Sequence, residues 1–218
     1  NANSPEDAQA GIERVLESTR DMQASMVALK ARLEESRREA EQLRAELSRS
    51  RDESSTDALT GLINRGGLDR ALRRCIEEAV DHEGGLSIAI ADLDHFKRVN
   101  DTHGHLMGDR VLQAVAEILK TNVKGKDTAG RFGGEEFVIL MPDTPLEGAR
   151  TVAEQIRASV ARCVVTHVDS ADSLGNFSIS IGVTRWHPED TVESLLGRAD
   201  EALYVSKKRG RNCVTVLQ

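Results

Sequence analysis

Thr128-Ala129-Gly130-Arg131-Phe132-Gly133-Gly134-Glu135-Glu136-Phe137-Val138-Ile139-Leu140-Met141 is the stretch on which the fold turns. Two strand-like runs, Thr128 to Phe132 and Phe137 to Met141, flank Gly133-Gly134-Glu135-Glu136, and Gly-Gly between such runs reads as a tight hairpin. Upstream of it, Leu86-Ser87-Ile88-Ala89-Ile90-Ala91 is a short apolar run of the buried-strand kind that ends on Asp92-Leu93-Asp94. If that strand lies beside the hairpin, Asp92 and Glu135 approach each other across neighbouring strand ends.

The helical pattern fills the gaps between these runs. Asn64 caps a helix expected from about Arg65 to Val80. A second runs from about Gly108 to Thr121, with Val111, Leu112, Val115, Ile118 and Leu119 on one face. Helices over 145–162 and 191–208, and strands near 163–168, 176–184 and 213–217, complete the set. This order predicts an α+β fold in which a mixed sheet is covered by helices, of the ferredoxin-like kind.

The first 54 residues follow another rule. From Ile12, alternating steps of three and four reach Val15, Thr19, Met22, Met26, Leu29, Leu33, Ser36, Ala40, Leu43, Leu47 and Ser50. Most of these are apolar and the residues between them are mostly charged or polar, so residues 12–50 read as a coiled coil that forms a homodimer. In a parallel pair Glu39 would face Arg44 of the other helix and Glu46 would face Arg51, while Arg32 near Arg37 repels. Thr19, Ser36, Ala40 and Ser50 make the seam adjustable. Residues 1–54 are therefore expected to be a coiled-coil dimerisation helix and residues 55–218 the catalytic domain.

Composition excludes several classes. The net charge is −7 and no cluster of Lys and Arg interleaves with aromatics, so a polynucleotide partner is not expected. Cys75, Cys163 and Cys213 are odd in number and widely spaced, which suits a reducing cytoplasm rather than a disulfide framework. No apolar run reaches the ~18 to 20 residues that span a bilayer. The chain starts on Asn1 rather than Met and reads as a fragment with an upstream sensor or regulatory protein; membrane association through such a part stays open.

Asp92 and Glu135 side by side would repel unless a cation sat between them, and a hard divalent ion such as Mg²⁺ fills such a site, completing its shell with water and phosphates. Glycines ahead of Glu135 would let a phosphate approach the backbone. An acidic turn is also commonly just solvated. Lys97, Lys207, Lys208 and Arg211 could hold phosphates, although basic residues at a helix C-terminus also complement its dipole. A Walker-type loop is missing from the sequence. His103-Gly104-His105, in a polar loop, lacks the companions that complete a zinc shell.

Together these pieces resemble the GGDEF family of diguanylate cyclases over roughly residues 55–218. The resemblance is carried by Asp57-x-Leu59-Thr60-Gly61-Leu62-x-Asn64-Arg65, by Asp92-Leu93-Asp94-His95-Phe96-Lys97-x-x-Asn100-Asp101-x-x-Gly104-His105-x-x-Gly108-Asp109, and by Arg131 to Phe137. Ser180-Ile181-Gly182-Val183 and Ala199-Asp200-x-Ala202-Leu203-Tyr204-x-x-Lys207-x-x-Gly210-Arg211-Asn212 continue it. It implies a nucleotidyl-cyclase-type sheet and the condensation of two GTP into cyclic di-GMP with release of two pyrophosphates. It also implies that Asp92 and Glu135 bind Mg²⁺ or Mn²⁺ with the Leu93 carbonyl. Asn100 and Asp109 would read guanine, while Lys207 and Arg211 hold the terminal phosphates, helped by Lys97 and the backbone near Phe96. Glu136 would assist, either by positioning the nucleophile or by binding a second ion.

One departure from the family pattern stands out. The Arg-x-x-Asp product-inhibition motif is replaced by Lys124-Gly125-Lys126-Asp127, and Lys lacks the planar fork of Arg, so weaker feedback inhibition is expected. Two alternatives to a GTP-specific cyclase are a non-catalytic module that binds GTP or cyclic di-GMP, disfavoured by intact Asp92, Glu135 and Glu136, and a cyclase with relaxed base choice making mixed dinucleotides, disfavoured by Asp109.

Overall fold

The computed structural model describes residues 55–81, 85–165 and 177–218, together with positions 22, 26, 29, 30, 32–39 and 41. The chain divides into two compact units, Asn1–Glu53 and Ser54–Gln218. In the first, every described position is helical and exposed. Met22, Met26, Leu29 and Leu33 are 64, 66, 70 and 58% exposed, an apolar stripe left open among the described residues. Ser36 is helical and exposed as well, while Ile12, Val15, Thr19 and the seam positions from Ala40 to Ser50, with Arg44, Glu46 and Arg51, lie outside the described residues.

The second unit begins with α1 (Arg65–Asp81). Asn64 caps it as expected: its Oδ1 accepts from the Gly67 N–H at 2.9 Å. Then follow β1 (Leu86–Leu93), α2 (Phe96–His103), α3 (His105–Asn122), β2 (Thr128–Arg131) and β3 (Glu136–Pro142). The chain ends through α4 (Leu146–Arg162), β4 (Ile179–Arg185), α5 (Val192–Lys208) and β5 (Val214–Leu217). The sheet order is β2-β3-β1-β4-β5, antiparallel except for the β4/β5 pair. From β1 to β4 this is the β-α-β-β-α-β ferredoxin-like arrangement, with β3 inserted between β1 and β2, and α5–β5 is appended to it.

Alternation along β1 sorts the core into two layers. Ala89, Ala91 and Leu93 face α3 and α4, packing with Val111, Leu112, Leu119 and Ile156. Leu86, Ile88 and Ile90 face α1 and α5, packing with Leu68, Leu72, Leu195 and Leu203. The central strand is buried over its whole length because helices cover both faces.

Two expectations need correction. The polar loop around His103 is a corner between two helices: α2 ends at His103, Gly104 takes φ 81°, and α3 starts at His105, three residues before the expected Gly108. Only Phe96 of α2 is buried, so the helix carries too few apolar positions for periodicity to reveal it. The strand expected near 163–168 is likewise not formed at 163–165, where the chain leaves α4; residues 166–168 lie outside the described set.

Candidate functional site

The site lies where β1 ends. Asp92 is paired in register with Glu136 of β3, and the Leu93 N–H donates to the Glu135 carbonyl at 3.3 Å. This register follows from the hydrophobic pattern, since a slip of one residue would turn Ile88 and Ile90 away from their layer. From the opposite side α5 packs directly against β4. A Cβ on Gly182 would stand 2.2 Å from the Leu203 nitrogen, so only glycine permits this approach. The Ser206 hydroxyl donates to the Ile181 carbonyl at 2.8 Å and fixes the last turn of the helix on the strand.

That packing delivers Lys207, whose Nζ stands 2.9 Å from Asp92 Oδ2. Burial pushes the Asp92 carboxyl up and Lys207 pulls it back, while Asp94 and Asp200 add to the rise. Glu135 is also raised, first by burial and then by Asp92, with Lys207 again opposing. The site is thus short of positive charge, and an ammonium stands at Asp92. Two carboxylates beside a strand-end carbonyl form an oxygen donor set that suits a hard divalent cation. Among the described residues no group of three or more His, Cys, Asp or Glu could hold a metal ion. The remaining ligands would have to be water and substrate oxygens, as Mg²⁺ prefers.

The turn differs from the tight hairpin expected of Gly-Gly. Neither Gly133 nor Gly134 has positive φ. Gly133 is small because the Glu136 carboxylate folds over it: a Cβ would lie 2.4 Å from Glu136 Oε2. A Cβ on Gly134 would meet nothing within 4 Å, so its backbone faces open space. The turn is held from below by Arg131, which donates to the Gly134 carbonyl at 2.7 Å and to both Asp57 oxygens at 3.2 and 3.3 Å. Burial would raise Asp57, but Thr60 and Arg131 together bring it below the usual carboxylate range. Arg65 stacks over the Phe132 ring at 4.6 Å.

A second cluster forms at the corner of α2 and α3. Asn100 leans over Gly108, where a Cβ would lie 1.9 Å from Asn100 Oδ1 and 3.2 Å from the Phe96 ring. Asp109 follows on α3, and both polar groups are half-buried. Lys97 and Arg211 are exposed. Lys124 and Asp127 sit before β2, at the other end of the hairpin, roughly 15 Å from its turn at about 3.3 Å per residue. Burial raises Asp127. The structure therefore brings Asp92, Glu135 and Lys207 together, and Asn100 with Phe96 beside Asp109, while Lys124 and Asp127 stand apart. Sequence reasoning gave no role to Asp57 and Arg131, 74 residues apart, or to Asp94.

A family model described as "Diguanylate cyclase, GGDEF domain" matches residues 54–213. Diguanylate cyclase DgcP of Pseudomonas aeruginosa is 36% identical over 200 residues, 92% of this chain and 29% of that protein. Diguanylate cyclase VdcA of Vibrio cholerae is 35% identical over 215 residues, 98% of this chain and 62% of that protein. The chain thus spans less than two thirds of either relative. Among solved structures, the coiled coil and GGDEF domain of DgcB from Caulobacter crescentus, in complex with c-di-GMP, matches with a TM-score of 0.75 at 36% identity. That match covers 87% of this chain and 99% of that one. A strand-end carboxylate set against a Gly-Gly-Glu-Glu-Phe turn, and a family match over nearly the whole second unit, lead to one assignment: the chain belongs to the diguanylate cyclase GGDEF domain family.

Proposed function

We propose that the protein condenses two GTP molecules into cyclic di-GMP and two pyrophosphates. The observation that carries this reading is the Asp92–Lys207 pair with Glu135 coupled to it, at a strand edge beside the open backbone of Gly134. Asp92, Glu135 and the Leu93 carbonyl would hold Mg²⁺ or Mn²⁺. When bound, the ion polarises the α-phosphate and neutralises charge on the leaving pyrophosphate.

The chain's own groups do the rest. Lys207 exchanges its partner Asp92 for the terminal phosphates, and Arg211 joins it from the following turn. Lys97 and the backbone near Phe96 add contacts. Asn100 and the Asp109 carboxylate read guanine; the latter accepts from N1–H and the exocyclic amine, which adenine does not offer as a pair. Glu136, folded over Gly133, assists from the turn, either by positioning the attacking 3′-hydroxyl or by binding a second ion. Each new bond joins a 3′-oxygen to an α-phosphorus and breaks the bond from that phosphorus to pyrophosphate.

Each domain carries one base pocket and one carboxylate cluster, so both bonds of the product require two domains face to face. The exposed Met22, Met26, Leu29 and Leu33 stripe suits homodimerisation through residues 12–50, which would raise the effective concentration of one domain at the other. Residues 55–218, nearly the whole second unit, are the catalytic part in this reading. Incubating the dimeric protein with Mg²⁺ and GTP, ATP or both, and separating products by chromatography, tests it. Cyclic di-GMP from GTP alone, lost in Asp92→Asn and Glu135→Gln, is expected; a dimer that binds GTP without making dinucleotide would refute the enzymatic reading.

A further inference from the structure

Asp92 has a neighbour of the same chemistry that does a different job. Asp94 is buried just beyond β1, and both its oxygens are taken. Oδ1 accepts from the Ser180 hydroxyl at 2.6 Å, and Oδ2 accepts from the Ser178 hydroxyl at 2.6 Å and from the Asn212 N–H at 3.0 Å. A carboxylate so occupied has little left to offer a metal ion. Its third donor belongs to the turn that carries Arg211.

That turn is conformationally demanding. Gly210, Arg211 and Asn212 have φ of 108, 66 and 44°, three successive residues in the left-handed half of backbone space. Two of them carry a Cβ and disfavour it, so the surroundings must impose it. Three contacts do so. The Arg211 N–H returns to the Ser206 carbonyl at 3.2 Å, Arg157 Nη1 donates to Asn212 Oδ1 at 2.9 Å, and Asp94 takes the Asn212 N–H. Of the three, only Asp94 ties the turn to the strand that carries Asp92.

We propose that Asp94 is the positioning residue of the triphosphate site, holding the Gly210–Asn212 turn so that Arg211 is set in register with Lys207 and Asp92. This rests on the reading above in which Lys207 and Arg211 take the terminal phosphates. In Asp94→Asn the amide oxygen still accepts, but the amide nitrogen meets donors, so the clamp opens while the base pocket at Asn100 and Asp109 is untouched.

The test measures Kd by calorimetry for two ligands with Mg²⁺: GMP, and a GTP analogue whose α,β-bridge is methylene and is not cleaved. Asp94→Asn is expected to weaken the analogue about tenfold or more, as loss of a charge-assisted contact does, and to leave GMP within about twofold. Equal weakening of both ligands, the mark of a merely structural role, or of neither, overturns the proposal. Should Asp94→Asn not fold, Asn212→Ala against Asn212→Gly decides: both lose the Arg157 contact, but glycine accepts the left-handed backbone. Weak analogue binding in the first and restored binding in the second is expected; equal binding overturns it. Arg211→Ala separates the premise from the proposal. If it leaves analogue binding intact, the phosphate assignment itself falls; if it weakens binding while Asp94→Asn does not, only the role of Asp94 falls.

Discussion

Gly108→Ala should make the domain no less stable and yet impair its hold on guanine. Gly108 lies in α3, where alanine is favoured over glycine by about 1 kcal/mol. The added methyl, however, would stand 1.9 Å from Asn100 Oδ1. The amide oxygen must retreat by about 1 Å or more, and it can do so cheaply because it ends a rotatable side chain. The intrinsic gain and the cost of rotation roughly cancel, so the thermal midpoint should hold within about 3 °C, given about 2 to 4 °C per kcal/mol for a domain of this size. Binding has no such compensation. Losing one amide contact to the base, and leaving its partner unsatisfied, costs about 1 to 3 kcal/mol, or roughly 5- to 150-fold in Kd. Calorimetric titration of GMP together with a thermal melt reads both quantities. An unchanged Kd for GMP would refute the assignment of Asn100 to the base, and a collapse of the melt would show that Gly108 serves packing instead.

Gly134→Ala should leave the melt unchanged, because its Cβ meets nothing within 4 Å, but lower the turnover of GTP at least tenfold or so if phosphate approaches that backbone; full activity would remove the turn from the phosphate site. Lys124→Arg should strengthen inhibition by added cyclic di-GMP, since Arg supplies a two-pronged contact that Lys lacks; equal inhibition curves would count against a weakened product site. Asp190 is held down to about 2 by Arg198, with bonds from the His187 N–H and the Ser194 hydroxyl assisting. Because its folded value lies below the unfolded 3.8, the stabilisation is complete above about pH 4 and is lost as pH falls toward 2. Asp190→Asn should therefore cost on the order of 2 kcal/mol in urea unfolding at pH 7, with a gap to the wild type that narrows in acid; a gap independent of pH would refute the ion pair as its source.

What could be read from the sequence was local. The Asn64 cap, the apolar run of β1 and the paired runs of the hairpin each announce themselves within ten residues, and the helix-covered sheet follows from them. The candidate site was legible as a set of residue types: Asp92, Glu135 and Lys207 do meet. Their mutual geometry was not. Whether Asp92 faces Glu135 or Glu136 depends on register, which sets Asp92 opposite Glu136 and leaves Glu135 to reach in from the turn. α2 stayed hidden because one buried Phe96 makes no stripe, and its start follows a left-handed His95 rather than a recognisable cap. Arg131 and Asp57 form a contact over 74 residues that no local pattern encodes. The Gly-Gly pair was legible as a turn, but its tight-hairpin form was not borne out: neither glycine has positive φ, and what Gly133 supplies is absence of bulk beneath Glu136.

The ammonium of Lys207 on Asp92 has a consequence for the idle protein. A domain in which the buried Asp92 carries its own counter-ion does not depend on dissolved cations to stay assembled, so chelation should silence it without unfolding it. If Asp92 holds the ion and Lys207 the terminal phosphates, as proposed, loading would be an exchange rather than an addition, one ligand taking the carboxylate and the other the freed lysine. An ion alone would have to displace the lysine with nothing to receive it. On that reading the site would discriminate against the bare ion and the bare nucleotide alike, and would respond to the complex of the two.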